Sequence, residues 1–528
     1  MSAQLYQNGT ILTMEEPLYA EAVLVRDGVI ERVGTRAELS RRCPDAEPVD
    51  LEGHVLMPAF IDSHSHITAY AQTMGLIDLG AAKSFDEIAA KIEQYRRASK
   101  PKPGEWIIGF GYDHNALKEH AHPPLGLLDR AAPENPLLLS NKSGHMGVAN
   151  SIALRELGIT RDTPDPEGGK FGRAADGSLT GYLEENAFLT RTGSVPKPSM
   201  ETRLSQIEQA QEVYLSFGIA TVQDGLTREP ELRLLEEAAK KERLKVDVVS
   251  YVDLAGCAEA GRRSPYWNRT AGRLRLGGYK IFLDGSPQGK TAWMTKPYEG
   301  EREYRGYPVH TDEALQKLVD AAYREGEQLL AHCNGDAAAD QFLAAAQRAQ
   351  EAFGKRGLRP VMIHAQTVRE DQLDKMKALG VIPSFFVAHV HYWGETHRKN
   401  LGEDRAAHIS PVASAVERGI PFTLHQDTPV LPPDMLKTVW CAVNRLTVSG
   451  KVLGKGERVS ALDALRGVTT YAAYQYHQED QKGSIRAGKR ADFAVLDRDP
   501  LKAPEEEIDR IKVLATIVGG ECRYRREN

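Results

Sequence analysis

Residues 55–66 read Val55-Leu56-Met57-Pro58-Ala59-Phe60-Ile61-Asp62-Ser63-His64-Ser65-His66, an apolar run that stops at a His-x-His pair. On a strand, residues i and i+2 project to the same side, so both imidazoles aim at one point. Neutral imidazole is a common nitrogen ligand of zinc and its neighbours. An isolated His-x-His is more often two surface histidines in a polar turn. A pair that caps the first strand of a barrel is a candidate metal site.

The barrel itself is read from the remainder of the chain. Short apolar runs recur at 55–61, 219–223, 246–252, 279–283, 328–332, 361–364, 381–387 and 421–425. Amphipathic helical stretches separate them, among them 200–217, 312–325, 337–353 and 369–379. Strand and helix in alternation predict a parallel sheet. Eight such units predict a TIM-type (β/α)8 barrel, with an open doubly wound sheet as the runner-up. One connection is far longer than the rest. Residues 67–218 hold a helix at 84–98, strand-like runs at 106–110 and 136–139, and Gly-rich turns near Gly168-Gly169 and Asp176-Gly177. A stretch that long is expected to be a lid or substrate-binding insert, placed at the mouth where barrel active sites lie.

Both ends of the chain read as β. Runs at 5–14, 22–25 and 29–33 flank an Asp27-Gly28 turn, and runs at 491–496, 512–518 and 521–524 flank Gly519-Gly520. D-G and G-G between apolar runs are hairpin signals. Neither end has strands enough to close a sheet, so the two are expected to pair into one small β-sandwich. The expected domains are 1–56 and 483–528 as the sandwich and 57–482 as the barrel.

Composition narrows the function. The chain has 528 residues, a net charge of -6 and 27% charged residues of both signs, with no basic stripe, which argues against a nucleic-acid partner. The five cysteines, Cys43, Cys257, Cys333, Cys441 and Cys522, are odd in number, far apart and free of any CxxC pair. That fits a reducing compartment and argues against a cysteine zinc site. No basic n-region with an apolar h-region opens the chain, and no run of about 18 apolar residues occurs. A cytoplasmic protein with no membrane partner is expected.

Further candidates stand at other strand ends. Lys280 lies inside the apolar run Tyr279-Lys280-Ile281-Phe282-Leu283, where a charge is costly unless neutralised or paired. Carboxylation by CO2 would make it an anionic metal bridge; a salt bridge to Asp284 is the alternative. His332 ends one apolar run, His364 ends the next, and Asp427 follows the last. An aspartate there can ligate metal and carry a proton. In the insert, His114, His145, Asn150 and Glu185 are candidate substrate contacts. His389 and His391 follow the seventh strand, and their i, i+2 spacing is expected to point both at the mouth as substrate contacts. Tyr392 and Trp393 could add an apolar wall. Cys333 reads as a small buried filler.

The ordered set His64, His66, Lys280, His332, His364 and Asp427 resembles the amidohydrolase superfamily over nearly the whole chain. Gly109-Phe110-Gly111-Tyr112-Asp113, Ser143-Gly144-His145, Thr180-Gly181-Tyr182-Leu183-Glu184-Glu185, Asp284-Gly285-Ser286 and Gln426-Asp427-Thr428-Pro429-Val430 are similar to its YtcJ-like branch. Lys142-Ser143-Gly144-His145 departs from the Asp-Gly-His more usual there. The resemblance implies a homo-oligomer acting on a small molecule. It implies one or two divalent metals, zinc first among Zn, Mn, Fe and Ni. His64, His66 and Asp427 would hold the more buried metal, His332 and His364 the second, and carboxylated Lys280 would bridge them. An unmodified Lys280 leaves a single-metal site of His64, His66, His332 and Asp427. Coordination lowers the pKa of water from about 15.7 to about 7. Asp427, the catalytic residue, takes the proton of the attacking water and returns it to the leaving nitrogen of an amide. A deaminase on the same barrel usually has a glutamate shortly after the fifth-strand histidine; in this chain that place holds Cys333-Asn334-Gly335-Asp336. A lactonase uses the same ligands. A non-catalytic scaffold would have lost ligands, and all six are present.

Overall fold

Eight parallel strands line up in chain order: β1 (Phe60–Ile61), β2 (Ile219–Thr227), β3 (Asp247–Asp253), β4 (Leu274–Phe282), β5 (Gln328–Cys333), β6 (Val361–His364), β7 (Ile382–Phe385) and β8 (Thr423–Leu424). The computed structural model describes residues 3–193, 195–354 and 357–527. Helices follow the strands as the periodicity predicts, at Asp312–Glu325, Asp336–Phe353 and Glu370–Leu379. The first of these shows why the ends fall where they do. Thr311 accepts from the amide of Ala314 at the start, and Gly326 turns the chain with φ 79° at the end.

The sheet curls into a TIM-type barrel, and its seam is closed by one backbone and several side-chain hydrogen bonds. His66 N–H donates to Thr428 O (2.8 Å) and Ser63 Oγ–H to Leu424 O (3.1 Å). Gln475, near the end of a later helix (Thr470–Gln475), spans the gap. Its amide donates to Ser63 O on one side (2.8 Å) and accepts from Thr423 Oγ on the other (2.8 Å). Ile61, Val249, Tyr251, Leu330, Ile363 and Ile382 fill the interior together with Tyr476.

The chain ends build the β-sandwich. A four-stranded sheet comes from the N-terminal region alone, and a six-stranded sheet mixes both ends, with Phe493–Leu496 paired antiparallel to Val55–Pro58. Tyr6 from one sheet meets Phe493 from the other edge-to-face at 5.3 Å. Asp27 (φ 50°) and Gly28 (φ 78°) make the tight hairpin turn that D-G forecasts. Two apolar runs each divide between sheets. Residues 5–14 divide between the strand Ala3–Gln7 in one sheet and Thr10–Leu12 in the other. Residues 55–61 split at Ala59, with Val55–Pro58 in the sandwich and Phe60–Ile61 in the barrel. An apolar run reports burial, and burial does not say which sheet supplies the partner.

The long connection is a compact unit of its own, Ala71–Gln206. Its six-stranded mixed sheet includes Ile107–Tyr112 and Leu137–Asn141, and Phe85–Ser99 is its longest helix. Two apolar clusters, around Ile88 and Leu139 and around Leu154 and Phe188, give it a separate core.

Candidate metal centre

The six strand-end residues converge at the C-terminal end of the barrel sheet. His64 and His66 leave β1 side by side, ring centroids 5.1 Å apart. Asp427 stands just past β8. Its Oδ1 lies 3.4 Å from His64 Nε2 and 3.3 Å from His66 Nε2, and it takes no hydrogen bond although it is buried. Two imidazole nitrogens and an unpaired carboxylate oxygen around one point are the donor set of a divalent cation, and these three residues group as such among those described.

Lys280, fully buried on β4, extends to within 3.4 Å of His64 Nε2. It does not pair with Asp284. That carboxylate instead accepts from the amides of Trp293 (3.0 Å), Asn334 (2.9 Å) and Gly335 (2.7 Å). His332, at the end of β5, sets Nδ1 3.0 Å from Nε2 of His364. His364 reaches that place because its backbone turns left-handed (φ 73°), so strand alternation no longer directs its ring. Asp427 is left-handed too (φ 54°). Such conformations cost energy in non-glycine residues and gather at functional sites.

Burial sets the charge states. It drives His64 and His364 well below the ordinary histidine pKa and takes His332 down to about 3, with Lys280 and neighbouring imidazoles adding repulsion. Neutral rings are what a cation needs. Burial likewise lowers Lys280 to about 7. Burial opposes ionisation of Asp427, but the imidazoles of His66, His364 and His64 outweigh it and hold the carboxyl well below its usual range.

Two residues that local sequence pattern did not single out belong to this cluster. His425, fully buried two residues before Asp427, faces His364 Nδ1 with Nε2 (3.3 Å) and Ser384 Oγ with Nδ1 (2.9 Å). Gln223 on β2 faces His64 Nδ1 with Oε1 at 2.6 Å. The i, i+2 pattern His425-x-Asp427 would have flagged the first. No local pattern marks the second.

His389 and His391 do not point together. They begin a helix, His389–Leu401, where residues two apart lie on nearly opposite faces. His389 is buried against Phe386, Trp393 and His397, while His391 bonds Leu446 O through Nδ1 at 2.7 Å. In the insert unit, Asn150 is fully buried and caps Ser151–Glu156; its amide is spent on Ala153 N, Leu137 N, Ala132 O and Asn135 O. That leaves it no group for a substrate. His145 and Glu185 are exposed and face each other at 3.1 Å. His114 stacks on His122 at 4.2 Å and lies 3.3 Å from the amide of Asn141.

The amidohydrolase family profile matches residues 47–524. The chain belongs to the amidohydrolase family. It is 28% identical over 536 residues to YtcJ of Bacillus subtilis (strain 168), covering 99% of each chain. It is 30% identical over 524 residues to the N-substituted formamide deformylase of Arthrobacter pascens, covering 96% of this chain and 95% of that one. A metal-dependent hydrolase of Pyrococcus furiosus superposes with a TM-score of 0.78 at 27% identity, covering 95% of this chain and all of the other. This amidohydrolase is thus a metal-dependent hydrolase by kinship and by its His64–His66–Asp427 cluster. Among the described residues, no helix is long and apolar enough to cross a membrane.

Proposed function

We propose that this amidohydrolase cleaves an amide-type C–N bond, N-formyl or N-acyl, in a small molecule. The observation that carries the reading is the convergence of His64, His66 and Asp427, with Asp427 Oδ1 buried and unpaired between the two rings. His64, His66 and Asp427 would hold one divalent metal, and His332 and His364 a second. A bound metal of this kind acidifies water and polarises a carbonyl. Asp427, held ionised, accepts the proton of the attacking water and delivers it to the leaving nitrogen. Lys280, lowered by burial to about 7, offers a free amine at neutral pH that can add CO2, forming an N–C bond and releasing one proton; the resulting carbamate would supply an anionic oxygen donor to the cluster. Zinc suits the nitrogen and oxygen donors.

Two features favour an amide over an amine substrate. The Arthrobacter relative is named for the deformylation of formamides. A deaminase also needs a free proton carrier beyond His332, and this chain has none in that loop. Asn334 cannot carry a proton, and Asp336 is tied to Thr295 N (2.8 Å) and to Arg369 (3.3 Å). The test is a hydrolysis screen of N-formyl, N-acetyl and cyclic amides with metal-reconstituted protein. Release of formate or another acid from at least one amide is expected. Inactivity on all amides, with turnover of lactones or aryl amines, overturns the reaction class.

A further inference from the structure

We infer that Gln223 is a positioning residue that fixes which nitrogen of His64 faces the metal, and that Tyr476 holds Gln223 in the orientation that does so. The inference rests on the reading of His64 as a metal ligand.

The hydrogen bonds leave one assignment. Tyr476, fully buried in the barrel interior, donates its only hydroxyl proton to the carbonyl of Asp62 (2.7 Å). A carbonyl can only accept, so that proton is committed. The Tyr476 oxygen, 3.0 Å from Gln223 Nε2, must therefore accept from it. The other hydrogen of that nitrogen goes to Ser63 O at 2.7 Å. Both donors of the Gln223 amide are spent, and its Oε1 is the atom turned to His64 Nδ1 at 2.6 Å. An amide oxygen cannot donate, so Nδ1 of His64 carries the proton. His64 Nε2 is left bare, facing Asp427 Oδ1. A metal needs that lone pair.

The backbone beside the ring is shaped for this arrangement. A Cβ at Gly225 would stand 2.5 Å from His64 Cε1 and 3.0 Å from Gln223 Oε1, so glycine there lets the two side chains share one slot. Tyr476 is itself wedged among Ile61, Tyr251 and Leu330. The lock is built from β1, β2 and the segment after β8, and none of it depends on the metal. His64 is set before a cation arrives.

The test is a chelator-competition titration of metal-free protein with Co2+, read by metal affinity and by the visible absorption of bound Co2+. Gln223→Leu removes the acceptor and is expected to weaken the tightest Co2+ equivalent about 10- to 100-fold and to alter its spectrum. Gln223→Glu keeps an acceptor at the same place and is expected to stay within about threefold of wild type. Tyr476→Phe should weaken binding less, about threefold to tenfold. The double variant Gln223→Leu/Tyr476→Phe should bind no worse than Gln223→Leu, because Tyr476 acts only through Gln223. Wild-type affinity in a folded Gln223→Leu protein, or additive losses in the double variant, overturns the inference. Failure of the wild-type protein to take up Co2+ overturns the metal reading instead. If Gln223→Leu does not fold, Tyr476→Phe alone decides, and an unchanged affinity and spectrum there overturn the inference.

Discussion

The two halves of the histidine cluster are built on opposite plans. Around His64, Gln223 serves Nδ1, while Nε2 faces the unpaired Asp427 Oδ1 with Lys280 Nζ as its one long neighbour at 3.4 Å. Around His332 and His364, most ring nitrogens serve one another, and His332 Nε2 faces the Asn334 amide at 3.1 Å. His332 Nδ1 and His364 Nε2 are 3.0 Å apart, and His364 Nδ1 turns to His425. The first half holds its donors ready at a cost already met in folding. The second must break the 3.0 Å His332–His364 contact to bind anything, where the first gives up only the longer approach of Lys280 to His64. Readiness is thus unequal in a site whose six residues look equivalent in the sequence.

The sharpest way to break this comparison is to disable the first half alone. Asp427→Asn removes the proton acceptor and is expected to lower turnover about 10^4-fold, the upper range for a general base, while His332 and His364 keep their mutual contact. Activity near wild type would show that Asp427 carries no proton. A milder probe compares the halves directly. Titrating metal-free protein with Zn2+ in bicarbonate should give two classes of site, the first tighter by about 100-fold. His425→Phe should then weaken only the second class, by about tenfold. A uniform pair of sites, or loss of the first class in that variant, contradicts the asymmetry; a steady single equivalent contradicts a Lys280 bridge.

The smallest effect concerns Lys280. Burial lowers its pKa from 10.5 to about 7 in the folded chain. Unfolded, it keeps its proton to about 10.4. Between those values the unfolded chain binds more protons, so this residue makes metal-free protein more stable as pH rises from about 7 to about 10. Lys280→Met removes that slope. The variant should melt a few degrees above wild type near pH 7, with the gap closing towards pH 10. A gap independent of pH would mean that Lys280 is already charged and paired in the fold.

The fold was legible wherever local pattern carries it. His332 and His364 end apolar runs, His64 and Asp427 follow them closely and Lys280 lies within one, and that pattern alone brings these residues to one end of the sheet. The split at Ala59 was not legible, because it depends on Phe493–Leu496 choosing Val55–Pro58 as its neighbour. His389 and His391 were misplaced since β7 stops at Phe385 and the period changes from two to 3.6 just before them. His425 closes the apolar run 421–425 just past β8, and only its spacing from Asp427 sets it apart from core. Gln223 meets His64 across 159 residues and Tyr476 across 253, and no periodicity spans such distances.

That distant pairing of Val55–Pro58 with Phe493–Leu496 also sets a timetable for the newborn chain. At about 5–20 residues per second, the ribosome delivers the second strand on the order of a minute after the first. Throughout that interval Val55–Pro58 is a fully apolar strand without its eventual neighbour, and His64 and His66 trail just behind it. Gln475, which staples the barrel seam, emerges hardly earlier. His64 and His66, just past β1, therefore leave the ribosome before β2 to β8 that will surround them, and exposed apolar strands of that kind are what chaperones bind. The cluster is not enclosed until Gln475 has joined Ser63 to Thr423 across the seam, so its parts are made well before its enclosure.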